Sequence, residues 1–513
     1  SSAASDVYKR QYICFEERVI AVKRKKSGAK TRKRRKASNK EKIVKIICAV
    51  LAVYFVYVAA FAFFPYFTEK NVSETFRTDI ESYDFYSDTQ SVDRVALVED
   101  PLVSLGTRIR LISEAKSTLD ISYHSMHMGE SADYFLASIL EAAERGVKVR
   151  LLFDGMSSGF SGKYKDLAKA LGSHENIEIR LYNSMNLLKP WTFNGRMHDK
   201  YIIIDNKFLL LGGRNIGDQY FGPEGYDRNL SIDRDVLVYN SAWQTDNRDS
   251  VLFQVKNYME NIWNCKSSKD AFTEKGKNSD DEKARLISIM TELRKEQPLL
   301  FSQPLNIEKT TFPTNKITFF ANDISIYKKE PKVGYIISHL VMNAEEKVFL
   351  QSPYVVLSDN IETALNEIGK KGIKYEILTN SLQSSPNLPA YSLYLNDREK
   401  ILSTGAEIYE FQNNNGIHAK TYIIDDRMSI IGSFNMDPRS EYIDTEIMLA
   451  IDSPEFTEYL QSIVKLYKDN SLVVGSDGEY IPDPNVEEFE VSKAKRVAFE
   501  VGGTLLSPFR VLV

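Results

Sequence analysis

Two stretches of this chain repeat the same order of extended and helical segments, and that duplication limits what it can fold into. The first reads LDISYHSM, ADYFLASILEAAERG, VKVRLLFD; the second reads EKVFLQSPYVVL, DNIETALNEIGKKG, IKYEILTN. Each is strand, helix, strand. Leu136, Ile139, Leu140 and Ala143 recur at helical spacing, and VKVRLLF alternates before running apolar, as a sheet strand does. Gly146 and Gly372 stand where each helix should end, at a left-handed cap position. Farther on, DKYIIIDNKFLLLGG and AKTYIIDDRMSIIGS each read as two short strands joined by a tight turn. The expectation is an α/β chain of two similar domains facing each other about a pseudo-two-fold axis.

Polar residues inside the duplication recur as well. His198, Lys200, Asp205, Gly212 and Asn215 in the first copy match His418, Lys420, Asp425, Gly432 and Asn435 in the second. Residues two apart on a strand point to one side, so each His projects with its Lys. If the domains pack face to face, two imidazoles, two ammonium groups and two amides converge. That set suits a phosphodiester. A neutral imidazole attacks phosphorus, a protonated one donates to the leaving oxygen, and lysine and asparagine hold the phosphate oxygens. The lysines supply the positive charge, so no metal or other cofactor is expected.

Each imidazole also needs its second nitrogen oriented. Aligning VLVY after Asp235 with IMLA after Glu446 assigns Asp235 and Glu446 as the carboxylates that fix the two histidine tautomers. On that alignment the first copy carries an insertion near FGPEGYDRN, which is expected to shape one wall of the pocket. Asp205 and Asp425 follow their lysines by five residues, an odd spacing that turns them away from the His/Lys side. They read as structural, at turns or in salt bridges.

Charge is distributed unevenly. Residues 1–45 hold 16 Lys/Arg against 4 Asp/Glu, while the remainder is net −16. An acidic body of that kind disfavours nucleic acid as a partner. Between the two lies Ile46 to Phe67, 22 residues without a charge. As a helix the run spans about 33 Å, enough for a bilayer core. Its basic flank, KRKKSGAKTRKRRK, places the N-terminus in the cytoplasm and the body outside it, on a single-pass membrane protein. A cleaved signal peptide is the competing reading, because Ala60-Phe61-Ala62 resembles a cleavage site. The opening residues SSAASDVYKRQ read as a tag or edge and are left out of the fold. Only Cys265 lies in the body, which leaves no internal disulfide there.

The expected organisation is a basic segment 1–45, a transmembrane helix 46–67 and a juxtamembrane linker 68–92. A first domain 93–265 follows, then a linker or insertion 266–316 with one helix near 280–296, a second domain 317–455 and a C-terminal extension 456–513. The tail SKAKRVAFEVGGTLLSPFRVLV mixes cationic and apolar residues, as a segment at a membrane surface does. His124 and His127, in SYHSMHMG, are expected to line the pocket mouth or else to be surface or packed histidines.

The paired His-x-Lys-x4-Asp pattern resembles the signature of the phospholipase D superfamily, over roughly residues 93–455. MHDKYIIIDNKFLLLGGRNIGDQYFG, IDRDVLVYN and HAKTYIIDDRMSIIGSFNMDPRSEYIDTE are similar to the bacterial cardiolipin synthase C-type branch. The resemblance implies a two-step phosphatidyl transfer between phospholipids such as phosphatidylglycerol, through a phosphohistidine. His198 would be the nucleophile and His418 the acid/base, with the roles exchangeable. A phospholipase D hydrolase is the alternative, and a phosphodiesterase or nuclease of the same superfamily the second. The chain departs from the pattern at Gly213, where the other copy has Ser433, and at Asp154-Gly155, where an acidic pair is common in the family.

Overall fold

The computed structural model describes residues 23–26, 40–245, 247–302, 306–385, 387–489 and 491–513. Most of the basic segment 1–45 lies outside the described residues. The chain divides into two compact units, Ser1–Phe64 and Pro65–Val513. In the first, the apolar run is helical and most of its side chains up to Val56 are exposed. The continuous helix extends over Lys40–Tyr66, long and apolar enough to cross a membrane.

The second unit holds two nine-stranded sheets. The first runs Phe312–Pro313, Asp93–Val98, Asp235–Asn240, Phe208–Gly212, Lys200–Ile204, Thr118–Tyr123, Lys148–Asp154, Ile177–Tyr182, Ser268–Asp270. The second repeats the seven central strands in the same order: Lys316–Ala321, Ile447–Asp452, Met428–Gly432, Thr421–Ile424, Lys347–Gln351, Lys374–Asn380, Glu407–Phe411. It then adds Ser471–Val474 and Tyr480–Ile481. The strand–helix–strand units read from the sequence supply the parallel pairs, Thr118–Tyr123 beside Lys148–Asp154 and Lys347–Gln351 beside Lys374–Asn380. Gly146 and Gly372 both take positive φ just past their helices.

Helices cover one face of each sheet, forming a separate core in each lobe. The other faces meet in a shared core that joins Leu209, Leu211 and Val236 to Ile423, Ile431 and Leu449. Burial on both faces explains why the central strands read III and LLL rather than alternating with polar residues. The chemistry-bearing residues lie at one end of these strands, where the carboxyl ends of the parallel strands meet the partner lobe.

Three expected boundaries need correction. Segment 266–316 is not a free linker. Ser268–Asp270 and Phe312–Pro313 close the two edges of the first sheet, and Leu286, Met290 and Leu293 of the helix Ser279–Glu296 enter the first lobe's core. The juxtamembrane stretch carries the helix Glu74–Glu81, and Phe76, Ile80 and Phe85 pack on the second lobe. Residues beyond 455 are built into that lobe, through the helix Pro454–Lys468, the two edge strands and the helix Lys493–Leu506. In all three segments a few apolar residues at helical or strand spacing are enough to bury one face, even within a polar sequence.

Candidate active site

Asp205 and Asp425 occupy the same place in both lobes. Each sits at positive φ in the turn after its strand. Asp205 accepts the backbone N–H groups of Lys116, Ser117 and Thr118. Asp425 accepts those of Glu345, Glu346 and Lys347. These aspartates tie the turn to the start of the neighbouring strand, at the end of the sheet away from the histidines.

At the other end, the lobes exchange hydrogen bonds. Met197 bridges to Thr445, and Gly416–Ile417 pairs with Ser231–Ile232. These contacts set each histidine against the opposite lobe. His198 Nδ1–H donates to Glu446 Oε1 at 2.9 Å, and His418 Nδ1–H donates to Asp233 Oδ2 at 2.5 Å. With Nδ1 held by a carboxylate, each ring presents Nε2 to the site. His198 N–H also donates to Thr445 Oγ1, and His418 N–H to the Ile232 carbonyl.

Asp233, not Asp235, is therefore the counterpart of Glu446. Gly212 pairs with Asp235 in the first sheet, whereas Gly432 pairs with Met448 in the second, so the sequence alignment slipped by two residues. A two-residue slip leaves every side chain on its own face, and apolar patterning does not detect it. The insertion is accordingly seven residues, the spacing being 18 from Asn215 to Asp233 against 11 from Asn435 to Glu446. It leads into the strand Ser231–Ile232 rather than lining the cleft at His198. Asp235 lies behind the site in a buried charge cluster, where it accepts from Ser104, Arg108 and Arg214. Arg234, between the two aspartates, donates to Gln351 and Thr421 of the other lobe and to Glu99.

The lysines lie beside their histidines, and each donates to the carbonyl of the histidine two residues earlier. The fields of Lys200, Lys420 and His418 all reach His198, as the field of Lys200 reaches His418. Burial, then the neighbouring ammonium, holds His198 well below the usual imidazole range and His418 at about 4. Burial also lowers Lys200 to about 7 and Lys420 to about 8. The two carboxylates differ. Burial pushes Glu446 up, despite Lys200 and a hydrogen bond from Ser433. At Asp233, Lys420 and His418 outweigh burial and hold the carboxyl below its usual range. Gly213 faces Asp233 where Ser433 faces Glu446, and a Cβ at 213 would run into the Asp233 carboxylate.

Asn215 accepts from the Ser125 backbone N–H and donates to Tyr220, whose ring packs edge-on against His418. Asn435 donates weakly to Ser440 at 3.4 Å, and its Oδ1 is buried without a protein partner among the described residues. A cleft of about 580 Å³ opens at the His198 side of this cluster, lined by His124, His198, Arg196, Tyr354, Asn435 and Arg439 among others. His124 does reach the cleft. Its Nδ1–H donates to the Met197 carbonyl at 2.6 Å, and its ring stands 4.9 Å from that of His198. His127 is exposed.

Several positioning groups escaped the sequence reading. Asp154 accepts from Arg196 and from the Met197 backbone N–H, just before His198. Asn380, at the same point of the second lobe, brackets Ile417 just before His418 by donating to its carbonyl and accepting its N–H. Both end the duplicated strands VKVRLLFD and IKYEILTN, so aligning the strand ends would have found them. Arg439 and Asp444 form an ion pair at the cleft wall, and nothing in the repeat points to that pair.

Residues 108–263 and 337–466 match the family model described as cardiolipin synthase, PLD-like domain. The chain belongs to that family. It is thus an enzyme of the phospholipase D type, and the two matched blocks fall on the two lobes. Cardiolipin synthase C of Escherichia coli K12 is 29% identical over 403 residues, covering 71% of this chain and 82% of that protein. A protein of Helicobacter pylori J99 without an assigned function is 28% identical over 419 residues, 73% of this chain and 79% of its own. Phosphatidylserine synthase of Haemophilus influenzae shares the fold at a TM-score of 0.60 and 13% identity, covering 86% of this chain and all of that one.

The register places the two aspartates in different roles, and substitution separates them. Asp233→Ala is expected to lower kcat by about 10²–10⁴, the effect of losing a histidine's orienting acid, with a near-normal denaturation midpoint. Asp235→Ala leaves Arg108 and Arg214 buried without their carboxylate and is expected to cost about 3–5 kcal/mol in urea unfolding. The reverse pattern would refute the register assignment.

Proposed function

We propose that this enzyme is a membrane-anchored phosphatidyltransferase that joins two phosphatidylglycerol-type lipids into cardiolipin. The observation that carries the reading is the pair of imidazoles, each with Nδ1 on a carboxylate of the opposite lobe and with both lysines beside them. His198 lines the open cleft and is kept neutral by burial, so its Nε2 is free to attack phosphorus. As the N–P bond forms, the P–O bond to glycerol breaks and His418 Nε2–H gives its proton to the departing oxygen. Asp233, held ionised, favours the imidazolium of His418. The phosphate's negative charge between the two ammonium groups offsets the repulsion that keeps His418 neutral in the empty site. In the second step His418 takes the proton of an incoming hydroxyl, that oxygen bonds to phosphorus, and the N–P bond breaks. Lys200 and Lys420 hold the phosphate oxygens. The amide nitrogens of Asn215 and Asn435, each with one hydrogen still available, assist them.

With purified full-length protein, phosphatidylglycerol and EDTA, the expected products are cardiolipin and glycerol. Phosphatidic acid as the sole lipid product would make the enzyme a hydrolase, and loss of all turnover in EDTA would overturn the lysine-based mechanism. His198→Ala and His418→Ala should each remove at least about 10³ of the rate.

The lysines also set a pH limit. An ammonium group is present below its pKa and lost above it, so the empty site loses its phosphate-binding charge as pH rises through about 7 and 8. kcat/KM should fall across that interval; a flat profile from pH 7 to 10 would contradict the assignment.

The charge asymmetry around the apolar helix supports a cytoplasmic N-terminus with the catalytic body outside the cytoplasm. Protease added to intact cells should then digest the body, and full protection would reverse the orientation.

A further inference from the structure

The helix Lys493–Leu506 packs one face on the helix Leu388–Ser403, so closely at Gly503 that a Cβ there would meet the Ser392 carbonyl. Its other face is apolar and bare. Val497, Val501 and Leu505 follow one another at four-residue spacing and are 55%, 53% and 71% exposed, and Phe509 just beyond is 44% exposed. Four-residue spacing puts them in one stripe. A soluble surface scatters such residues singly; a continuous row marks a contact.

The surroundings of the stripe identify what covers it. Immediately beyond Phe509, Val511 shares a small core with Tyr66, and the Phe509 ring lies 5.9 Å from that of Phe67. Tyr66 is the last residue of the apolar helix Lys40–Tyr66, so a bilayer crossed by that helix has its surface at the residues against which this segment packs. In the other direction, Leu512 and Val513 line the cleft at His198, and Arg439 donates to the Leu512 carbonyl at 3.2 Å. One short segment therefore joins the exit of the apolar helix, the bare stripe and the wall of the cleft.

We infer that the stripe Val497–Val501–Leu505–Phe509 lies in the headgroup region of the bilayer, as a second membrane contact that holds the cleft mouth at the lipid surface. The occupant is the lipid bilayer itself. An interfacial helix needs one apolar face and a polar flank, and here Lys493 stands exposed at the start of the helix. A lipid headgroup then reaches His198 with its acyl chains still in the membrane. A span alone holds the body near the bilayer but leaves it free to rotate about the span; a second contact fixes which face turns toward lipid. The inference rests on the membrane-anchored reading above.

Two measurements test it on the full chain. In proteoliposomes, an environment-sensitive fluorophore on Leu505→Cys, with the native cysteines replaced, should be quenched by spin-labelled lipid, whereas the same label on Ile481→Cys, an exposed edge-strand position, should not. An unquenched Leu505 label would overturn the inference, and this readout needs no activity. Second, the triple variant Val497→Asp, Val501→Asp, Leu505→Asp should lower the ratio of turnover on phosphatidylglycerol vesicles to turnover on monomeric short-chain phosphatidylglycerol by about tenfold or more. An unchanged ratio would overturn the inference. A wild-type enzyme inactive on both substrates, with the Leu505 label still quenched, would refute the transferase reading and leave the contact standing.

Discussion

His198 and His418 each take their orientation from the lobe to which they do not belong. Glu446 lies 248 residues from His198 in sequence, and Asp233 lies 185 from His418. The two hydrogen bonds cross the interface in opposite directions, so neither lobe contains a complete site. Everything near the cleft serves that crossing. The pairing of Ser231–Ile232 with Gly416–Ile417, the bridge from Met197 to Thr445, and the reach of Arg234 to Gln351 and Thr421 all fix the height at which the lobes meet. The shared apolar core supplies the driving force, while the polar bridges set the register.

A duplicated scaffold does not make the two halves equal. Both imidazoles are buried beside a lysine, yet Asp233 is held ionised while burial pushes Glu446 toward its neutral form. The difference arises in the surrounding groups. Asp233 stands close to Lys420, His418 and Arg214, whereas Glu446, equally buried, has Lys200 as its cationic neighbour, the opposing charge of Asp444 and a hydroxyl from Ser433. Small changes around a repeated frame thus set two different electrostatic environments for the two carboxylates.

Much of this was legible in the linear chain. The repeated offsets named His198, Lys200, Asn215, His418, Lys420 and Asn435, and alternation along a strand placed each His with its Lys. The exceptions have physical causes. Asp235 was named for Asp233 because an apolar strand is equivalent to itself shifted by two, and only the ladder hydrogen bonds of Gly212 and Gly432 break the tie. Segment 266–316 read as a linker because Leu286, Met290 and Leu293 are a thin apolar stripe on a highly charged helix. Asp154 and Asn380 end equivalent strands with different side chains, so the repeat concealed what they share: each holds the backbone immediately before a histidine.

By itself the sequence determined that there are two α/β lobes, which faces of their strands are buried, which residues can carry phosphodiester chemistry and that an apolar helix precedes the body. Those properties follow from periodicity and residue type, which are local. Only the tertiary structure decided which carboxylate meets which imidazole, how far burial shifts each charge, and that the segment Ser507–Leu512 packs on Tyr66 and reaches the cleft wall. Those depend on distances between residues hundreds of positions apart, and such distances exist only once the two sheets have packed.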